Sequence, residues 1–381
     1  MRRFSRLASL SAIESRLRRA GSVPGRLKPL VNFGHNPGAL GAKIYLPDGL
    51  SAAAPLVVVL HGCTQTADQY DLGAGWSAVA EEYGFALLYP QQQPANNPNL
   101  CFNWFLPQDN RCDRGEALSI RNMIAAMVET HALNEQRIFV TGLSAGGAMA
   151  NVMLATYPEL FASGAIIAGL PYGTATDVPQ ALERMRGQEL PGERELAGLM
   201  RRATDHVGPW PTISVWHGSS DATVFPSNAD AIVTQWRSVQ GLEKEPTRRD
   251  IVDGYPREIW CDSQGRECIQ SISVTGMAHG TPLATSGADA CGSAGPYMLD
   301  RRISSTRHIC RFWGLAEDAA TWKGGRAEPS FRPAEAEKSS LRLDVANRAA
   351  AHDQTHPFPP TTSSGVGKVI EDALRAAGLM R

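Results

Sequence analysis

One pentapeptide in this 381-residue chain carries a chemical pattern: Gly142-Leu143-Ser144-Ala145-Gly146 fits G-x-S-x-G. It follows a strand-like run at residues 137–141 and precedes a helix-like run at 147–157, the strand–turn–helix setting that a nucleophile elbow needs. So sharp a turn strains the backbone at Ser144, and only small neighbours let strand and helix pack that closely. The start of the helix then aims free N–H groups and the positive end of its dipole at the reacting oxygen. The bland reading is a Gly/Ser-rich turn without chemistry; the flanking elements favour a nucleophile.

A serine hydroxyl needs a base to take its proton, and the base needs a carboxylate to orient it. With an elbow of this kind the acid and then the histidine follow the serine in the chain. Downstream histidines are His206, His217, His279, His308, His352 and His356. His279, in Gly276-Met277-Ala278-His279-Gly280, lies in a glycine-flanked loop directly after the last predicted strand, and it is the expected base. His308 falls within a predicted helix, His352 and His356 in a Pro-containing tail, and His206 and His217 precede or adjoin the acid's loop, out of order. Asp221, in His217-Gly218-Ser219-Ser220-Asp221, follows the strand at 212–216 and is the expected acid. Its competing reading is the N-cap of the next helix, and Asp205 and Asp230 are its rivals. His61-Gly62-Cys63 closes a buried strand where such folds supply the second oxyanion donor, so the N–H groups of Cys63 and Ala145 are expected to hold the tetrahedral intermediate. Trp104, Phe105 and Trp76 could wall an acyl pocket or simply fill the core; Trp104 is the expected substrate contact.

The elements that must position these groups are legible as alternating strands and helices. Apolar runs at 42–46, 56–60, 85–89, 138–141, 165–168, 212–216 and 271–275 read as strands, and 76–83, 115–132, 145–157, 222–240 and 296–313 as helices. Continuous apolar strands separated by helices predict an α/β fold with a mostly parallel sheet flanked by helices, its functional loops at the carboxyl ends of the strands. Residues 170–210, polar and containing Pro171, Pro179, Pro191 and Pro209, are read as a small cap insertion.

Composition bounds the function. Hydrophobic residues make up 43% and charged residues 20%, enough apolar content for a full core. The 37 basic and 38 acidic groups leave a net charge of -1, which argues against nucleic acid as a partner. The longest aliphatic run is Leu56–Leu60, far short of the roughly 20 residues that span a bilayer. The seven cysteines lack C-x-x-C spacing, so no metal is expected. They read either as ordinary thiols or, in an oxidising space, as local pairs Cys101/Cys112 and Cys261/Cys268; a Cys63–Cys291 bridge would stiffen the oxyanion loop.

The ends differ from the middle. Residues 1–32 form a basic arm: Arg2, Arg3, Arg6, Arg16, Arg18, Arg19, Arg26 and Lys28 stand against Glu14 alone, and Phe4, Leu7, Leu10, Ile13 and Leu17 fall at near-helical spacing. No apolar stretch of about 7–15 residues follows the arginines, so a secretory signal peptide is not expected and the cytoplasm is favoured. Residues 316–381 read as a linker that ends in a short amphipathic helix (Val366, Val369, Ile370, Ala373, Leu374, Ala377). That helix either docks on the body or binds a partner.

Five stretches, in order, resemble the polyhydroxybutyrate (PHB) depolymerase-type esterases. They are Val57-Val58-Val59-Leu60-His61-Gly62-Cys63-Thr64-Gln65, Cys101-Phe102-Asn103-Trp104-Phe105, the Ser144 elbow, Trp216-His217-Gly218 with Asp221, and Gly276-Met277-Ala278-His279-Gly280. The resemblance covers residues 33–315 as one catalytic domain. It implies an α/β-hydrolase fold and a cofactor-free serine esterase with the triad Ser144, Asp221, His279. A hydroxyalkanoate polyester or its oligomers is then the expected substrate. The family is also similar to feruloyl and acetylxylan esterases, which makes a carbohydrate esterase the first alternative, and many relatives are exported. An alternative of another class is a polymer-granule or surface-binding protein that docks through its amphipathic ends.

Overall fold

A computed structural model describes residues 26–316. The basic arm before residue 26, the linker from 317 and the C-terminal amphipathic helix expected near 366–377 lie outside the described residues.

Sheet formation follows from where the apolar runs fall. A sheet of ten strands takes the order β1-β2-β4-β3-β5-β6-β7-β10-β9-β8. The strands are β1 (Lys28–Pro29), β2 (Gly41–Tyr45), β3 (Leu56–Leu60), β4 (Ala86–Gln91), β5 (Ile138–Leu143), β6 (Ser163–Ile167), β7 (Thr212–Gly218), β8 (Arg248–Val252), β9 (Tyr255–Cys261) and β10 (Glu267–Val274). Strands β4, β3, β5, β6, β7 and β10 run parallel, so their carboxyl ends share one edge. Antiparallel strands close both sides, β2 on β4 and β9 with β8 on β10.

The parallel strands are buried on both faces. Val58 and Leu60 of β3 pack toward α3 (Gly115–His131), α4 (Ala145–Thr156) and α7 (Ser227–Gln240), through Ile120, Met123, Met149, Val152, Ile232 and Trp236. Val57 and Val59 face the opposite layer of α1 (Ala67–Ala74), α2 (Trp76–Tyr83) and α8 (Ser305–Phe312), among Tyr70, Trp76, Val79, Ile309 and Cys310. Alternation along one strand thus feeds two cores. The helix starts are chemically marked: Thr66 and Gln69 form a capping box on α1, and Ser304 Oγ accepts from Arg307 N on α8. Between β6 and β7 lie two further helices, α5 (Val178–Met185) and α6 (Glu193–Arg201).

Two expected helices are shorter than their pattern suggested. The run at 222–240 becomes helical only from Ser227, because Pro226 stands at the cap and Asp221 holds the preceding backbone in a turn. The run at 296–313 is helical only over Ser305–Phe312; Met298–Asp300 (β12) pairs in parallel with Thr281–Leu283 (β11). Met298 and Ile303 nevertheless reach the core, which explains the apolar spacing that suggested a longer helix.

Candidate active site

Ser144 sits between β5 and α4 with φ +57° and ψ −118°, a left-handed backbone that a non-glycine residue adopts only under constraint. The constraint is visible. Ser144 N donates to Ile167 O at the end of β6 (2.9 Å), and Ser144 O accepts from Ala148 N (2.8 Å). A Cβ on Gly146 would meet Leu60 O at 2.3 Å and His61 O at 2.4 Å, and one on Gly142 would meet Gly146 O at 2.3 Å. No side chain fits at either position, so the elbow seats directly on the end of β3. Ala145 opens α4, and its N–H is one of the donors a helix cannot satisfy internally.

The loops after β7 and β10 are laced together by Ser219 N to Val274 O (3.1 Å) and Ser220 N to Met277 O (3.0 Å). This brings Asp221 Oδ2 to 2.7 Å from His279 Nδ1. Thr223 N and Val224 N both donate to Asp221 Oδ1 at 2.9 Å. Asp221 is therefore the hinge of a tight turn and not the cap of α7. Burial alone would push its carboxyl up, but hydrogen bonds from His217 and His279 hold it well below the usual carboxylate range. Ser144 and His279 each keep 9% of their surface exposed against 3% for Asp221. The Tyr297 ring stands edge-on to His279 with centroids 6.2 Å apart, on a backbone at φ +60°.

The third wall is the loop after β3. Amides on both sides of Cys63 are engaged: Gly62 N donates to Gln65 Oε1 (2.9 Å) and Thr64 N to Asn99 O (2.7 Å). Cys63 itself is disulfide-bonded to Cys101, with Cα atoms 4.3 Å apart. This corrects the expected pairings. β3 and β4 are neighbours, so the loops that follow them meet and Cys63 finds Cys101, while Cys291 Sγ lies 3.0 Å from Ser304 Oγ. Cys112, Cys261 and Cys268 are free thiols.

Beneath this loop lies a buried polar network that the sequence reading missed. Glu116, wholly buried at the start of α3, accepts from Gln92 Nε2 (2.6 Å), Asn96 Nδ2 (3.2 Å), Asn103 Nδ2 (2.8 Å) and Asn103 N (2.8 Å). Burial, with Asp109 nearby, pushes its pKa up to about 8 against those donors. Asn103 Oδ1 accepts from Asn97 Nδ2 (3.0 Å), and Asn97 Oδ1 accepts from Asn99 N (3.0 Å), carrying the network to the Cys63 loop. His61 Nε2 accepts from Gln92 N (3.2 Å) and Nδ1–H donates to Gly62 O (2.8 Å); burial presses its pKa down to about 4. The crowd of asparagines at 96, 97, 99 and 103 was the available signal.

The remaining aromatic and acidic residues sort themselves by position. Trp104 is buried in the same apolar cluster as Ala145, edge-on to Phe105. Trp76 is core on the other face of the sheet, stacked on Trp313. His206 bonds Pro209 O, and His308 pairs with Asp253 beside Asp289, itself paired with Arg311. Asp230 lies on α7 and Asp205 in the loop before β7, neither hydrogen-bonded to His279.

Residues 40–253 match the protein family described as esterase PHB depolymerase. The chain belongs to that family. Poly(3-hydroxyalkanoate) depolymerase C of Paucimonas lemoignei is 44% identical over 291 residues, covering 76% of this chain and 70% of that one. Acetylxylan esterase A of Emericella nidulans is 30% identical over 272 residues, covering 69% of this chain and 88% of the relative. Among solved structures, the acetyl xylan esterase from Aspergillus awamori superposes with a TM-score of 0.65 at 25% identity, over 78% of this chain and all of that one. The family member described here is thus a carboxylic ester hydrolase built on the α/β-hydrolase fold. No helix among its described residues is long and apolar enough to cross a membrane.

Proposed function

We propose that Ser144, His279 and Asp221 form a nucleophile–base–acid triad that hydrolyses 3-hydroxyalkanoate polyester, or its oligomers, through an acyl-enzyme. The observation that carries the triad is the 2.7 Å bond from His279 Nδ1 to a fully buried, doubly anchored Asp221. With Nδ1–H committed to the carboxylate, Nε2 is left as the lone-pair nitrogen that takes a proton. His279 removes the Ser144 proton as Oγ attacks the ester carbonyl. The N–H groups of Cys63 and Ala145 bind the resulting oxyanion, and His279 returns the proton to the departing alcohol. Water repeats the sequence on the acyl-enzyme. Asp221 stays ionised and stabilises the imidazolium throughout.

The polyester reading is supported by the 44% identity to a poly(3-hydroxyalkanoate) depolymerase. A second reading, removal of acetyl or feruloyl groups from xylan, is favoured by the superposition on an acetyl xylan esterase. Residues 33–315 serve as the catalytic unit in this proposal, and 170–210 as its cap. In support of the cap, the end of α5 bonds the chain just past Asp221, through Phe225 N to Met185 O (2.7 Å) and Asn228 Nδ2 to Arg184 O (2.9 Å). Trp104 is the proposed acyl-side wall, its neighbour Asn103 being pinned by Glu116.

The substrate is tested by comparing rates on amorphous PHB, acetylated xylan and feruloylated xylan. Faster release of soluble acid from PHB is the expected result. Turnover of xylan esters alone would give the carbohydrate reading the place of the polyester one.

A further inference from the structure

Two histidines contact Asp221, and the mechanism above uses only one. His217, near the end of β7, is buried, with Nε2 2.8 Å from Val224 O and 3.5 Å from Asp221 Oδ2. A nitrogen that faces a carbonyl and a carboxylate oxygen is a donor, so Nε2 carries the proton. Nδ1 is buried, with no hydrogen-bond partner among the described residues. The residue that His217 grips is the same one that grips the acid: Val224 N donates to Asp221 Oδ1 while Val224 O accepts from His217. The ring thus closes a loop around the carboxylate, its N–H reaching the oxygen that His279 uses.

We propose that His217 is a positioning residue: it fixes the turn from Asp221 to Val224 and shares Asp221 Oδ2 with His279. The inference rests on the triad reading and adds a second imidazole to it. Other groups facing this cluster are Asp230 on α7, whose carboxyl is raised by burial and by Glu258 of β9 but lowered by His217, and the Tyr297 ring beside His279.

The test is kcat and KM for p-nitrophenyl butyrate against pH, in the full chain, for His217→Phe, His217→Gln and Asp221→Asn. Phenylalanine removes the N–H, freeing Asp221 to pull harder on the His279 imidazolium while its turn loosens. The expected result is a kcat loss of about tenfold with KM within about twofold, and an acidic limb moved to higher pH. His217→Gln, which keeps an N–H donor, restores most of the rate and the original limb. Equal losses in both variants with an unmoved limb would make His217 mere packing and overturn the inference. So would wild-type kinetics in His217→Phe. Should that variant not fold, His217→Gln decides alone, a loss beyond about tenfold being the contrary result. Full activity in Asp221→Asn would instead bring down the triad reading, whichever way His217 behaves.

Discussion

Asp221 Oδ2 receives His279 Nδ1 at 2.7 Å, while the opposite carboxylate oxygen receives two backbone N–H groups of its own turn. With His217 Nε2 3.5 Å from Oδ2, four donors surround one buried carboxylate. Its charge is compensated within the protein by two imidazoles and two backbone N–H groups. His279 lies in the loop after β10, at the carboxyl edge of the sheet that also carries the Ser144 elbow and the Cys63 loop.

The carboxylate's charge is the first thing to remove. Asp221→Asn leaves the size unchanged but asks Nδ1–H to face an amide that can present either its oxygen or its NH2. We expect kcat to fall by about 10³–10⁴ with KM nearly unchanged, by steady-state kinetics on p-nitrophenyl butyrate. Because the folded pKa lies below the unfolded one, the carboxylate also stabilises the fold above the ordinary carboxylate range, and that contribution is lost as pH falls through the folded value. The destabilisation seen in Asp221→Asn should thus shrink in acid.

His61 makes a pH prediction of its own. Its folded pKa of about 4 lies below the ordinary 6.5, so below pH 6.5 the unfolded chain takes up a proton that the folded one refuses. Stability therefore falls as pH drops from 6.5 to about 4 and this term is constant below that; the full window is worth about 3 kcal/mol. Urea midpoints at pH 7 and 4.5 check it. His61→Gln should show a shallower acid loss than wild type, and parallel loss in both would contradict the assignment.

Gly146→Ala tests the elbow's steric logic. The added Cβ would meet Leu60 O at 2.3 Å and His61 O at 2.4 Å, both backbone atoms with no rotamer to relieve the clash. A stability loss of about 1–3 kcal/mol is expected, with a larger loss of kcat because the Ser144 backbone must shift. Thermal melts and kinetics on the same preparation separate the two effects.

The Cys63–Cys101 bridge closes a loop 38 residues apart, for which chain entropy gives about 4 kcal/mol of stabilisation. Reduction, or Cys63→Ser with Cys101→Ser, should lower the melting temperature and also kcat, since the bridge tethers the proposed oxyanion donor. Unchanged kcat after complete reduction, verified by thiol count, would show that the Glu116 network holds that loop unaided.

Most of what positions the site could be read along the chain, because it depends on local signals. The parallel strands announced themselves as unbroken apolar runs such as Leu56–Leu60, since both their faces are covered. The glycines around Ser144 and His279, placed just after strands, pointed to loops that gather at one edge. What escaped is what folding creates between distant segments. Cys63 meets Cys101 only because β3 and β4 pair, and Glu116 meets Gln92 and Asn103 only once α3 starts beneath them. Strands β8 and β9 carry exposed or half-buried charges such as Arg248, Arg249 and Glu258, so no long apolar run marks them. His217 stands out of chain order for a base, yet chain order carries no information about which side chains touch the acid.

Side-by-side hydrolysis of p-nitrophenyl butyrate and amorphous PHB by wild type and Ser144→Ala decides whether Ser144 is the group that attacks the ester carbonyl. Wild type is expected to cleave both, and the variant, folded with an unchanged melting temperature, to cleave neither. Full activity in Ser144→Ala would contradict that role.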